Sequence, residues 1–341
     1  MNQQRCLEKG EDHTFIDYFS KAKKQVDSDL AKFISSLSDL YLYSRIKYAV
    51  LTKGKRFRPL LVILSAESVG GNRKKVMPLA LAFELMHTST LVHDDIIDQD
   101  EIRRGRPSLH SKWSTNDAIL TGDALIALSV NLASAYGEDI LKNVAQAALE
   151  LCEGEHLDLI DSLETTEETY FKRIKYKSAS LCKAAAYSGA VAGGGNRSDA
   201  NALAMFGENF GIAYQLRDDL LDFNLKGDFN FKKPEIDRIT LPLIYCYAKS
   251  NQHEKRAIEE FQALLKNGSS KATAKASEIF QIVHQKGAFT YCENKIDEYL
   301  SKALLSVSTL KETKFRAYLV DMAKTLRSWA KQDNDETWQN Y

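Results

Sequence analysis

An all-α bundle is the fold this 341-residue chain predicts, and three observations carry it. Its five prolines, at 59, 78, 107, 234 and 242, leave 108–233 and 243–341 free of them. Long proline-free stretches with apolar residues three and four apart read as helices, because proline removes a helix donor and clashes with the preceding turn. Extended period-two alternation rich in Val, Ile and Thr is nearly absent and no Asn-Gly hairpin occurs, so strands are not expected. Roughly ten or more helices, forming one domain over 1–341, follow from this pattern, and 44% hydrophobic content is ample for their core.

Taken in order, the opening stretch Met1 to Phe15 has no basic start followed by an apolar run, and no segment approaches the roughly 18 apolar residues of a membrane span. A soluble, cytoplasmic protein without a transmembrane segment is expected. Gly54-Lys55-Arg56-Phe57-Arg58-Pro59 precedes an apolar helix from Leu60 to Ser65, with Pro59 in its first turn. A helix start carrying Lys and two Arg is a ready anion site, because free N–H groups and the helix dipole add to the side-chain charge. It lacks the spacing of a nucleotide-binding P-loop. Gly70-Gly71-Asn72 then breaks the chain before a helix that carries Phe83, Glu84, Met86, His87, Ser89 and Thr90. His87 projects about 20° from Asp94 and so lies on its stripe. Glu84 is near enough in sequence to be its partner, whereas His93 is rotated away and reads as structural.

Lys177, in Tyr176-Lys177-Ser178-Ala179-Ser180, has no acidic residue in the following four positions and opens a run of small residues. Gly193-Gly194-Gly195-Asn196 is a turn, with Ser198 and Asp199 offering the next N-cap. Gln215 sits one turn before Asp219 and two before Asp222. Lys177 and Gln215 are both candidates to face a cavity. Asn267-Gly268-Ser269-Ser270 reads as a further turn.

Two acidic clusters of one shape stand out, Asp94-Asp95-Ile96-Ile97-Asp98 and Asp218-Asp219-Leu220-Leu221-Asp222. On a helix the second and third Asp of each fall about 100° and 40° round from the first, so the three carboxylates share one face. Like charges packed together repel. A solvated face would alternate Lys and Glu, yet apolar residues flank both clusters, so a bound cation explains them better. Oxygen-only donors without nearby Cys or His pairs favour Mg²⁺, which completes its shell with water and substrate phosphates. Two such faces suggest a diphosphate held between two walls. Arg103-Arg104-Gly105-Arg106-Pro107 follows the first cluster closely, placing guanidinium forks where a metal-bound phosphate needs neutralising. The alternative is plain pairing of Arg103 and Arg104 with Asp98, Asp100 and Glu101.

Net charge is zero, with 46 basic and 46 acidic residues, so global electrostatics give no argument for a nucleic-acid partner. Five scattered cysteines, odd in number and never in CxxC spacing, indicate neither a disulfide framework nor a thiolate metal site.

From Lys53 to Pro242 these pieces, with Gly122-Asp123 between them, resemble the trans-isoprenyl diphosphate synthases, the polyprenyl synthetases. The resemblance implies an all-α isoprenoid-synthase bundle around a central cavity, usually a homodimer. It implies three Mg²⁺ and the joining of isopentenyl diphosphate to an allylic diphosphate. Carried over, Asp94, Asp98 and Asp218 would hold Mg²⁺, with Asp95, Asp219 and Asp222 supporting or bridging through water. Lys55, Arg58, His87 and Arg104 would hold isopentenyl diphosphate. Arg103, Lys177, Ser178 and Gln215 would serve the allylic partner, with Lys233 and Arg238 on a following loop.

Two departures from the family pattern occur. Ser178 stands where Thr is usual, which keeps the hydroxyl. The stretch that normally reads like GKPxGxDLxxGKxTLP is here Phe231 to Pro242, shorter by several residues. In the family, a bulky aromatic four or five positions before the first Asp keeps products short. Here those positions are Thr90 and Ser89, with Met86 and Phe83 further down, so a product of C20 to C30 is expected. A class I terpene cyclase and a non-catalytic synthase subunit remain alternatives. The basic residues Lys55, Arg58 and Arg104 argue against the first, and the intact acidic clusters against the second.

Overall fold

The structure, a computed structural model, describes residues 14–223, 239–266 and 271–330. Lys233, Arg238 and the turn at 267–270 lie outside them, as does the side chain of Asp222.

The chain is helical nearly throughout these residues. It begins with α1 (Phe15–Ser35), α2 (Tyr43–Val50), α3 (Phe57–Ser68) and α4 (Arg73–Ile97). Thr14 caps α1 by accepting from Asp17 N at 3.1 Å, and Asn72 caps α4 by accepting from Lys74 N at 2.9 Å. Both satisfy helix N–H groups that have no partner within the helix. Helix α3 starts at Phe57, earlier than expected, so Arg58 and Pro59 lie inside its first turn. Arg56, just before it, is in the left-handed region at φ 55°.

The sequence reading missed a short antiparallel ribbon, β1 (Ile102–Arg103) with β2 (Arg106–Pro107). Its two turn residues, Arg104 (φ 52°) and Gly105 (φ 76°), both have positive φ. That is the requirement of a tight two-residue hairpin, met here with Arg where Asn is the usual signal. A non-glycine residue held so costs on the order of 1 kcal/mol or more.

There follow α5 (Leu109–Lys112), α6 (Thr115–Ser134), α7 (Glu138–Leu159) and α8 (Glu167–Ile174). A π-helical turn (Lys175–Ala179) leads from α8 into α9 (Ser180–Ala192), and α10 (Arg197–Phe223) comes next. The N-cap of α10 is Asn196, which accepts from Asp199 N at 2.9 Å, not Ser198 or Asp199. The last helices are α11 (Leu241–Lys249), α12 (Gln252–Lys266), α13 (Lys271–Gln285), α14 (Ala288–Ser306) and α15 (Lys314–Ala330).

Packing is centred on α3, α4, α9 and α10. Helix α4 lies chiefly against α6 and α3, while α10 lies against α9 and α14. Side chains from most helices form one core, with Phe83, Phe206, Phe261, Leu61 and Ile63 fully enclosed. The two acidic clusters therefore ride on the C-terminal ends of the two long core helices, α4 and α10.

One helix departs from the membrane expectation. By length and composition α6 could cross a bilayer, and only about a third of its apolar window is buried. Ile119 (43%) and Leu120 (55%) stand exposed on it. Two large apolar side chains side by side on a helix this apolar make a surface that calls for a cover.

Candidate active site

A cavity of about 980 Å³ opens between α3, α4, α7, the π-helical turn, α9 and α10. Asp94 borders it from α4 and Asp218 from α10. Lys55, Arg58, His87, Arg103, Arg104, Lys177, Ser178 and Gln215 border it too, so residues widely separated in sequence converge on one space.

The expected sharing of one face by each carboxylate triad is corrected by the middle residues. Asp95 is buried and turned away from this cavity, accepting from Arg103 Nε at 2.5 Å. Burial raises its pKa and Arg103 opposes the rise. Asp219 is likewise buried and does not border the cavity. It accepts from the Tyr170 hydroxyl at 2.5 Å and from Gln215 Nε2 at 2.7 Å. Its pKa too is raised by burial, against these two donors. The middle Asp is about 100° round the helix from the first, far enough for tertiary partners to claim it. Asp98 caps the end of α4 and is not among the cavity-lining residues.

The basic side divides similarly. Arg103 is held by Asp95 and by Asp100 at 3.1 Å, close to the pairing weighed against a phosphate role. Arg104, aimed by its hairpin, donates from Nη1 to the carbonyl of Lys53 at 2.9 Å. Arg58 has a buried Nε without a hydrogen-bond partner among the described residues. A buried, unsatisfied guanidinium donor on a cavity wall is costly unless an acceptor arrives, and an anion would supply one. Glu84 does not pair with His87 as expected. It takes Arg56, a buried guanidinium that also donates to Asp27 at 2.8 Å. His87 is thus left facing the cavity, and burial followed by Arg58 and Arg104 holds its pKa well below the usual imidazole range. It is neutral near pH 7. His93 does stay apart, packed against Gly122, where an added Cβ would come within 2.1 Å of its ring.

No acidic residue follows Lys177 closely in sequence, and the π-helical turn aims it instead at α7. There it meets Glu155 at 2.6 Å and Asp158 at 2.5 Å. A π turn widens the helix by one residue and recurs at functional sites. Gly154 lets α7 come this close, since a Cβ there would lie 2.3 Å from the Lys177 amide nitrogen. Ser178 donates to Gln215 Oε1 at 2.6 Å. The chain Ser178, Gln215, Asp219, Tyr170 fixes the amide's orientation end to end.

Of the residues expected to set product length, Thr90 borders the cavity. Ser89, Met86 and Phe83 are buried and do not line it. Leu91, Leu151, Leu181, Cys182 and Phe210 supply its apolar lining. These were missed in the sequence, as were Glu155 and Asp158, although their three-residue spacing puts both on one helix face.

No group of three or more His, Cys, Asp or Glu among the described residues is arranged to hold a metal by itself. The donors that reach the cavity are carboxylates on separate walls, which fits Mg²⁺ bound through one or two carboxylates and completed by diphosphate and water.

Residues 39–283 match the family model described as polyprenyl synthetase. A short chain isoprenyl diphosphate synthase of Methanothermobacter thermautotrophicus is 31% identical over 320 residues, covering 90% of this chain and 96% of that protein. An octaprenyl diphosphate synthase of Haemophilus influenzae is 30% identical over 319 residues, covering 88% and 94%. Among solved structures, a geranylgeranyl pyrophosphate synthetase from Pyrococcus horikoshii aligns with a TM-score of 0.82 at 29% identity, covering 92% of this chain and 97% of that one.

Proposed function

Because the chain belongs to the polyprenyl synthetase family, whose members are prenyltransferases, we propose that it is an all-trans polyprenyl diphosphate synthase. It joins isopentenyl diphosphate head to tail to an allylic diphosphate with Mg²⁺, three per site by family resemblance. The observation that carries this reading is the single cavity in which Asp94 and Asp218 face a set of Lys, Arg and His side chains.

Lys55, Arg58, His87 and Arg104 hold isopentenyl diphosphate, and Arg58 brings the unpaired donor noted above. Arg103, positioned by Asp95, and Lys177, positioned by Glu155 and Asp158, hold the allylic diphosphate. Mg²⁺ held by Asp94, Asp98 and Asp218 would neutralise charge on the departing pyrophosphate. The guanidinium and ammonium groups add to that stabilisation, so the allylic C–O bond ionises. The C=C bond of isopentenyl diphosphate then attacks the allylic cation, whose charge the oriented Gln215 amide oxygen and the Ser178 region moderate by their dipoles. A proton leaves to the released pyrophosphate. Asp95 and Asp219 act through the neighbours they hold.

The exposed apolar side of α6 supports a homodimer, with a second copy as its cover. Free Cys152, Cys182, Cys246 and Cys292 suit a reducing compartment such as the cytoplasm. The relatives' names span short and long products, and a small Thr90 at the cavity wall, with Ser89, Met86 and Phe83 enclosed off the cavity, supports C20 to C30.

Purified chain with Mg²⁺, isopentenyl diphosphate and an allylic diphosphate is expected to release pyrophosphate and yield linear prenyl alcohols after dephosphorylation. Absence of turnover by the chain alone would point to a non-catalytic subunit, and a cyclic hydrocarbon product to a cyclase. Sedimentation of the same sample as a monomer would sink the dimer.

A further inference from the structure

We infer that the hydroxyl of Tyr214 is an additional ligand of isopentenyl diphosphate, a deepening that rests on the function just proposed. Tyr214 precedes Gln215 on α10 and borders the cavity beside Lys55 and Arg58. Lys55 Nζ donates to its oxygen at 3.4 Å, and the ammonium also lies 5.8 Å from the ring centroid. The first contact uses a lone pair of the hydroxyl and the second the face of the ring, and neither uses the hydroxyl proton. Its own proton has no acceptor among the described residues, so the one donor it possesses is available to an incoming oxygen.

The ring cannot easily turn elsewhere. Phe57 meets it edge-on with centroids 5.3 Å apart, and Phe210 lies 6.3 Å away on the preceding turn of α10. Burial, then the nearby Asp218 carboxylate, raises the phenol's pKa, so it stays protonated and serves as a donor rather than a base. Lys55 and Tyr214 thereby form one donor pair, an ammonium and a hydroxyl in contact. A diphosphate oxygen that reaches the first comes within range of the second. Lys55 also lends charge to the phenol, since a hydroxyl that accepts from an ammonium becomes a stronger donor. The location suits the substrate that keeps its diphosphate, because Lys55 and Arg58 border this side.

The test is Tyr214→Phe, which keeps the ring and its packing and removes only the hydroxyl. In steady-state assays KM for isopentenyl diphosphate should rise roughly tenfold, as expected for one hydrogen bond to a charged group, while KM for the allylic diphosphate and kcat stay within about twofold. Calorimetric titration of the free protein with isopentenyl diphosphate and Mg²⁺, without allylic substrate, should show the same loss of affinity. Unchanged KM and unchanged affinity would overturn the inference. If Tyr214→Phe does not fold, Tyr214→His and Tyr214→Leu compare ring replacement with and without a donor. Weaker binding in the Leu variant supports the role, and equal binding in the two overturns it. The wild-type protein's own turnover decides the function separately: an active wild type with an indifferent Tyr214→Phe removes only the hydroxyl from the site.

Discussion

Among the described side chains of the two clusters, Asp94 and Asp218 border the cavity, so each wall depends most directly on one carboxylate. Asp94→Ala and Asp218→Ala should each lower kcat by orders of magnitude with the helical circular dichroism unchanged, and near-normal rates at saturating Mg²⁺ would remove that wall from the mechanism. His87 makes a prediction about pH. In the folded chain its pKa is depressed by burial and by Arg58 and Arg104, whereas unfolded it titrates near about 6.5. Between the two values the unfolded chain carries the extra proton, so folding stability falls as pH drops below about 6.5 and is restored above it. Urea denaturation should therefore show wild type losing ground to His87→Asn between pH 7 and pH 5; parallel curves would contradict this. At this scale the sequence showed the right residue types but not their pairings. Glu84 was near enough to His87 to look like its partner, and only the fold reveals Arg56 arriving from another helix. The same holds for Lys177, whose acidic partners lie about twenty residues earlier.

Among the elements, the π-helical turn depends on a neighbour without a side chain. Gly154 on α7 allows the Lys177 backbone to approach, and the methyl of Gly154→Ala would fall 2.3 Å from its amide nitrogen. Backbone cannot give way as a flexible side-chain tip does, so the turn must shift. A loss of about 1–3 kcal/mol is expected from the overpacking. Displacing Lys177 and Ser178 together should also lower kcat at saturating substrate. Thermal melts and steady-state rates test both, and a variant melting like wild type would show the turn can yield. Helix periodicity made the helices legible in advance, and proline-free length made them long. The ribbon was not legible, because its turn uses Arg104-Gly105 and its strands have only two residues each. Nor was the π turn, since widening by one residue leaves no mark in an apolar pattern already rich in small side chains.

For the whole molecule, product length depends on how far the cavity extends between helices. Phe83 is fully enclosed on α4, about 9 Å below Ser89 at 1.5 Å per residue. Phe83→Ala should open that space and lengthen the prenyl chain, while Ser89→Phe should close it and shorten the chain. Chromatography of the dephosphorylated alcohols reads both, and an unchanged distribution in the two variants would assign the floor to α7, α9 and α10. The all-α fold could be read from spacing, which also pointed to Asp94 and Asp218, whereas the apolar lining could not be read this way. Leu151, Leu181 and Phe210 look like ordinary core residues until the helices carrying them are placed.

Arg56 has a consequence for where this molecule can be cut. The family match begins at residue 39, which would suggest that the first helix is dispensable. Yet Asp27, on that helix, shares the buried guanidinium of Arg56 with Glu84, and Tyr18, Phe19, Leu30 and Ile34 are sealed in the core beside it. A polypeptide trimmed to the match would remove one of the two carboxylates that face a buried arginine, and would uncover apolar surface on α3 and α4. The cationic turn from Lys55 to Arg58 would then be tied through Arg56 to Glu84 and to the carbonyls of Val50 and Thr52 alone. Recognition by homology and autonomy in folding therefore have different borders here, and a denaturation midpoint for the trimmed polypeptide equal to that of the full chain would show the opposite.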